Sequence, residues 1–268
     1  MFESDAPAQR YDIKETSEAV DGVTVSLAEE RSTGGPCYIH QIKVSDHFAD
    51  ADRQSAIATM KRFALIHAPR APLVVDGWVA DGVISAVEFK TMAPPLDLHA
   101  GNPFRTGQVK KADLFESTLN HIATLHRVNI VHGAIEPGIF GVSGQNGKVH
   151  LVDSSLSRQL KRCSEAAQSA EMFSLSENLS SKDVAQWAFC MTSMMKGDAL
   201  LAETIADAWE DIEFKEAERK LKGLFGEGEA TEFFLKCLHG FGRNVPPFES
   251  ASDARRWWHA HNVGSRIK

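Results

Sequence analysis

One stretch constrains this chain more than any other: residues 128–157, VNIVHGAIEPGIFGVSGQNGKVHLVDSSLS. A helical pattern runs into it. Phe115, Leu119, Ile122 and Leu125 recur at three- and four-residue spacing, which lines up one apolar face of a helix. Ile130 and Val131 follow, then a His132-Gly133-Ala134 turn, Pro137, and the apolar pair Ile139 and Phe140. A Gly-rich turn at 143–147 separates these from Val149-His150-Leu151-Val152, and Asp153 closes the run. Residue types alone give the order helix, loop, short strand, hairpin, short strand, loop.

The rest of the chain bounds what can be built around this stretch. Its 268 residues suit one two-lobed domain or two small ones. With 43% hydrophobic and 24% charged residues, a packed core is expected and disorder is not. A formal net charge of −7 is not the electrostatic footprint of a nucleic-acid binder. The four cysteines, Cys37, Cys163, Cys190 and Cys237, lie far apart without a C-x-x-C pair. Free thiols in a reducing cytoplasm are the simplest reading, so a cytoplasmic location is expected. MFESDAPAQR at the start lacks the basic-then-apolar run of a signal peptide. The longest apolar stretch, near 185–195, is too short and too polar to span a bilayer.

The central stretch resembles the catalytic core of the eukaryotic-like protein kinases. In that family a helix leads to His-Arg-Asp, a Lys-Pro follows, then an Asn, then a strand ending in Asp-Phe-Gly. Here the same slots hold His132-Gly133-Ala134, Glu136-Pro137, Ile139 and Asp153-Ser154-Ser155. Scaffold residues are kept and most chemical ones are replaced, so the pattern resembles a pseudokinase. The resemblance implies an α+β fold with two lobes: a small antiparallel β lobe with one helix, and a mainly helical C-terminal lobe. Residues 1–10 are then a loose tail, 11–90 the first lobe and 91–268 the second.

The first lobe can be matched slot by slot. Residues 11–19, 23–28 and 37–44 read as strands, joined by turns at Asp21-Gly22 and at 33–36. In the family the first hairpin is a Gly-rich loop whose amides cover ATP phosphates, because only glycine lets backbone approach so closely. With Ala28 as the anchor of the second strand, those glycine slots hold Glu18, Val20 and Val23. A carboxylate and two branched side chains repel and obstruct phosphate. Cys37 to His40 match the family's Val-Ala-Ile-Lys, which puts His40 at the lysine that neutralises phosphates. Lys43, three residues on, falls on the opposite strand face and reads as solvated. The 49–67 helix carries no acid at the slot near Ala58 that would pair the lysine. Residues 73–78 and 83–88 read as a hairpin, and Glu88-Phe89-Lys90 occupies the inter-lobe hinge. Lys43, Glu88, Lys90 and Asp153 are the weak candidates for touching a nucleotide.

The second lobe has lost the transfer chemistry. In active relatives the loop aspartate takes the substrate proton and the asparagine helps hold magnesium. Ala134 offers no base and Ile139 no oxygen. Gly133 removes the arginine that clamps a phosphorylated loop. Glu136 reverses the charge of the lysine that steadies the transferring phosphate. Asp153 keeps the magnesium ligand's slot, although a strand-end carboxylate bonded to local amides is the simpler reading. Ser155 replaces the flexible glycine. Residues 158–182 form a short activation segment, and a helix opens at Ser180 with a capping pattern. Asp183 on it matches the family aspartate that braces the turn at His132. His121 and His126 read as helix-surface histidines, and His259 with His261 as an unpersuasive metal pair. Residues 200–222 read as an amphipathic helix, 230–239 as the next helix, and 251–261 as the last, with Trp257-Trp258 packing its end.

The expected function is therefore binding: a catalytically inactive domain that scaffolds or regulates a protein partner, such as an active kinase or another enzyme, with no cofactor. The alternative is a divergent nucleotide-binding enzyme, an atypical kinase or nucleotidyl transferase, that uses the residual Asp153.

Overall fold

The computed structural model describes residues 2–3, 10–17, 22–44, 50–68, 71–72, 74–89, 96, 109–143, 147–166, 176–196, 214–238 and 248–267. Its strands are β1 (Phe2–Glu3), β2 (Tyr11–Thr16), β3 (Val23–Glu30), β4 (Gly35–Lys43), β5 (His67–Ala68), β6 (Ala71–Pro72), β7 (Val74–Ala80), β8 (Val83–Phe89), β9 (Phe140–Val142) and β10 (Val149–Leu151). Its α-helices among the described residues are α1 (Asp50–Ala64), α2 (Lys111–Arg127), α3 (Leu156–Ala166), α4 (Ser176–Lys196), α5 (Phe214–Phe225), α6 (Glu229–Leu238) and α7 (Ala251–Ala260). The chain divides into two compact units. One is Met1–Thr91 with Ser154–Ser174; the other is Met92–Asp153 with Leu175–Lys268.

The first unit is built on a sheet in the order β1-β7-β8-β4-β3-β2. Every pairing is antiparallel except that of β1 with β7. Asp81 and Gly82 join β7 to β8 with φ of 52° and 69°. Two successive positive φ values make the tight hairpin that fits strand twist, and an Asp-Gly pair adopts it cheaply. One sheet face gathers Tyr11, Ala28, Cys37, Ile39, Trp78 and Val87 into an apolar cluster, with the Tyr11 ring stacked on Trp78. Arg10 seals its edge, reaching Glu30 and Asp76 at 3.0 Å each, and the Tyr11 hydroxyl donates to Asp76 at 3.0 Å. Of the segment expected as a loose tail, the described residues are Arg10, which holds Glu30 and Asp76, and Phe2–Glu3, which pair with β7. A two-residue strand has no readable period, and the arginine's partners lie 20 and 66 residues away.

The other sheet face carries α1, which buries Ala56, Thr59, Met60 and Phe63. Gly77 in β7 makes room for it, since a Cβ there would collide with the Met60 Sδ. Helix α3 packs on both α1 and β4. It occupies the beginning of the stretch read from sequence as an activation segment.

In the second unit α2 is the central helix. Leu114, Phe115, Leu119, Ile122 and Leu125 are fully buried on it. Trp187 of α4 is fully buried too; its indole donates to Thr118 Oγ1 at 2.8 Å and stacks on Phe234 of α6. Helix α2 ends in a left-handed residue, Asn129 (φ 57°). The Asn129 amide donates to the His126 carbonyl and the Ile130 amide to the Leu125 carbonyl, both at 3.0 Å. This pattern satisfies the last carbonyls and swings the chain sharply off the helix axis into the His132 turn. Helix α4 starts at Ser176, before the expected start, so Ser180 and Ser181 lie inside it. Helix α5 covers the last part of the region expected helical from 200; residues 200–213 lie outside the described residues. Ser250 caps α7, accepting from the Asp253 amide at 3.3 Å.

Candidate functional site

The His132 turn is fastened by one stripe of α4. Asp183, Gln186 and Cys190 fall three and four residues apart, which places them on one side of a helix. Asp183 Oδ2 accepts the His132 amide at 2.7 Å, and Oδ1 accepts the Gly133 amide at 2.8 Å. Gln186 Oε1 accepts the Ile135 amide at 3.0 Å. The Cys190 thiol donates to the Ile135 carbonyl at 3.2 Å, and burial pushes that thiol's pKa up to about 12. Gly133 sits at φ 81°, a left-handed conformation that glycine takes without strain and an arginine takes poorly.

A histidine completes this brace. His126 Nε2 lies 3.0 Å from Asp183 Oδ2, and the Ala251 amide donates to His126 Nδ1 at 3.1 Å. Because Nδ1 accepts, the ring proton sits on Nε2 and points at the carboxylate. His126 is 8% exposed, which corrects its reading as a surface histidine. It lies on the buried side of α2, where it ties α2, α4 and α7 together. His121 also turns inward, with Nε2 3.1 Å from the Val149 carbonyl, and burial lowers its pKa. His259 and His261 do not converge on a metal. His259 stands 3.6 Å from Glu116, while His261 stacks on Trp257 and stands 3.1 Å from Glu229.

The His132 ring joins the turn to the end of β10. Its Nδ1 accepts the Ala134 amide at 3.4 Å, and its Nε2 lies 3.2 Å from the Asp153 carbonyl. The Ile139 carbonyl accepts the Val152 amide at 2.7 Å and the Asp153 amide at 3.3 Å. The structure thus brings His132, Ala134, Ile139, Asp153 and Asp183 into one connected arrangement. The Ile139 side chain is buried, Ala134 is half-buried, and the Asp153 and Glu136 side chains are exposed.

In the first unit, His40 of β4 pairs with Ala86 of β8, so Glu88 is its diagonal neighbour on the same face. His40 Nε2 lies 3.1 Å from Glu88 Oε2, close but without the angle of a good hydrogen bond. His40 Nδ1 lies 2.8 Å from Ser157 Oγ on the first turn of α3. Tyr38, two residues back on β4, presents its ring edge to His40 and stands where the matched motif has alanine. Ser155 has φ 64°, a left-handed conformation at the slot where the family has glycine, and its carbonyl accepts the Gln159 amide at 3.0 Å to start α3. Lys43 is exposed at the end of β4, and Val23 is buried at the start of β3. Glu18, Val20 and Lys90 lie outside the described residues.

Sequence reasoning missed Ser157, Tyr38, His126, Gln186 and Cys190. The helical spacing from Asp183 pointed to Gln186 and Cys190. Nothing in the sequence pointed to Ser157, which meets His40 across 117 residues.

No protein-family model matches the chain, and no curated protein matches it. Solved structures do match. The crystal structure of the PknI kinase domain from Mycobacterium tuberculosis is similar over 96% of each chain, with a TM-score of 0.55 and 12% identity. Likeness at that identity speaks to architecture alone. With its antiparallel sheet lobe and its helical lobe, the chain has a two-lobed, protein kinase-like α+β fold.

Proposed function

We propose that the chain is a kinase-like domain, catalytically inactive in phosphoryl transfer, that acts by binding another protein, as a scaffold or allosteric regulator. The observation that carries this reading is the surroundings of His40. An imidazole stands at the phosphate-lysine slot, its Nδ1 bonded to Ser157 and its Nε2 facing the buried Glu88 carboxylate at 3.1 Å, all within its own unit. A carboxylate beside that slot repels phosphate where a cation should attract it. The magnesium triphosphate that the fold implies does not fit these groups. Tyr38 adds a large ring on the same face, and in the second unit Ala134 and Ile139 supply neither base nor metal ligand. The braced turn supports a role for the fold itself, because Asp183, Gln186 and Cys190 hold its shape without any chemistry to perform.

The test is thermal unfolding with ATP and magnesium, run beside a radiolabelled phosphoryl-transfer assay. A ligand at about a hundred times its Kd stabilises by about 2.7 kcal/mol, several degrees in Tm for a chain of this size. No shift and no labelled product are expected. A saturable rise in Tm together with transfer to protein or peptide would establish the divergent enzyme instead, with Asp153 as the first residue to mutate.

A further inference from the structure

We propose that Ser157, His40 and Glu88 form an acyl-transfer triad in which Ser157 is the nucleophile and the substrate is an activated carboxylic ester. The proposal goes beyond the reading above: it starts from the same contacts of His40 and assigns them acyl transfer, which the loss of phosphoryl transfer leaves open. Three elements of the first unit supply the groups: Ser157 from α3, His40 from β4 and Glu88 from β8. Ser157 Oγ is 2.8 Å from His40 Nδ1, and His40 Nε2 is 3.1 Å from Glu88 Oε2. That is the order nucleophile, base, orienting acid which defines such sites by geometry rather than by sequence position.

The protonation follows from the chemistry. An ionised carboxylate only accepts, so the ring keeps its proton on Nε2, facing Glu88. The Nδ1 lone pair then faces the Ser157 hydroxyl. The off-line approach of Nε2 to Glu88 is of the kind that tightens when substrate binds. His40 and Glu88 are 8% and 6% exposed, so the carboxylate acts on the imidazole with little screening by water. Ser157 is half-buried on the first turn of α3. First-turn amides of a helix have no intrahelical partner, and their partial positive charge favours an oxyanion there.

In the reaction the Ser157 Oγ–H proton passes to His40 Nδ1 as Oγ bonds to the ester's carbonyl carbon. The bond from that carbon to the leaving oxygen then breaks, and the leaving oxygen takes the proton from Nδ1. The products are an ester on Ser157 and the free alcohol. Glu88 touches neither partner of the bond change and is a positioning residue.

The experiment treats the full chain with a fluorophosphonate probe, maps the labelled peptide, and follows nitrophenol release from 4-nitrophenyl acetate. Label is expected on Ser157 and not on its neighbours Ser154 and Ser155. His40→Gln keeps a polar partner for Ser157 but cannot take its proton, and labelling should slow about 100-fold. Glu88→Gln should slow it as well, with Glu88→Asp recovering part of the rate, a rescue that a packing role alone does not give. Circular dichroism establishes that each variant is folded. Should the His40 variant not fold, Ser157→Cys replaces it: the introduced thiol should alkylate at least tenfold faster than Cys163 on the same helix. A folded wild type unlabelled at Ser157, a His40→Gln variant that labels at the wild-type rate, or an introduced thiol no faster than Cys163 overturns the proposal.

Discussion

Asp183 fastens α4 to the His132 turn and to α2. It is fully buried, and its two oxygens accept from two backbone amides and one imidazole. Each donor left without a partner in a dry interior costs about 1–3 kcal/mol. Asp183→Ala strands three, so a loss of roughly 3–5 kcal/mol is expected, on the order of 10 °C in Tm. Asp183→Asn should fall between, because the amide keeps one acceptor and turns a donor toward a donor. Thermal unfolding followed by circular dichroism measures both; an alanine variant within a degree of wild type would remove the brace from the account. This residue was legible in the sequence through its place in a helix after the His132 turn. Its third partner was not. His126 lies 57 residues from Asp183, and although it continues the stripe four residues after Ile122, its polar type reads as surface and nothing local names its partner.

At the scale of elements the sequence was most readable where a period is long and clean. The α2 stripe and the β3 and β4 alternation are of this kind, and their ends fall within a few residues of the expected ones. Elements set by tertiary contact were hidden. Helix α3 lies in a polar stretch where Leu156, Leu160 and Cys163 keep a helical spacing, but that it packs on α1 and β4 is written nowhere in that spacing. The seat of α1 on the sheet was hidden for the opposite reason: it depends on an absent side chain. Gly77 pairs with Ala86 in mid-sheet, and an added Cβ meets the Met60 sulfur, the Met60 Cε at 3.2 Å and the Ser85 carbonyl oxygen at 3.2 Å. The methionine end can swing away, but the backbone oxygen cannot. Gly77→Ala should therefore cost about 1–3 kcal/mol, the range for overpacking a filled interior. Met60→Ala is itself destabilising, but combined with Gly77→Ala the loss in a denaturant titration should be smaller than the sum of the two, since the two sites share one contact. Strict additivity of the two substitutions would place the strain elsewhere.

For the whole molecule the order of the chain matters as much as its elements. The first unit is not one continuous segment: it closes with Ser154–Ser174, which returns after the strands and turn of the second unit have been laid down. What returns is α3, with Ser157 against His40 and the Cys163 thiol 3.6 Å from Thr59 Oγ1 of α1. A sequence reading that cuts the chain near residue 90 cannot see this, because a lobe boundary is read from a loop whereas the returning segment is recognised only by what it packs on. The consequence can be measured. A fragment of residues 1–91 leaves the β4 face around His40 and one side of α1 without their cover, and His40 loses its Ser157 partner. Such a fragment should show weak, non-cooperative unfolding and exposed apolar surface by dye binding. Adding residues 154–174 through a short flexible linker should restore a cooperative transition, because the linker raises the effective concentration of α3 at its seat. Cooperative unfolding of residues 1–91 alone, at a midpoint close to that of the linked form, would mean that α3 rests on the sheet without stabilising it.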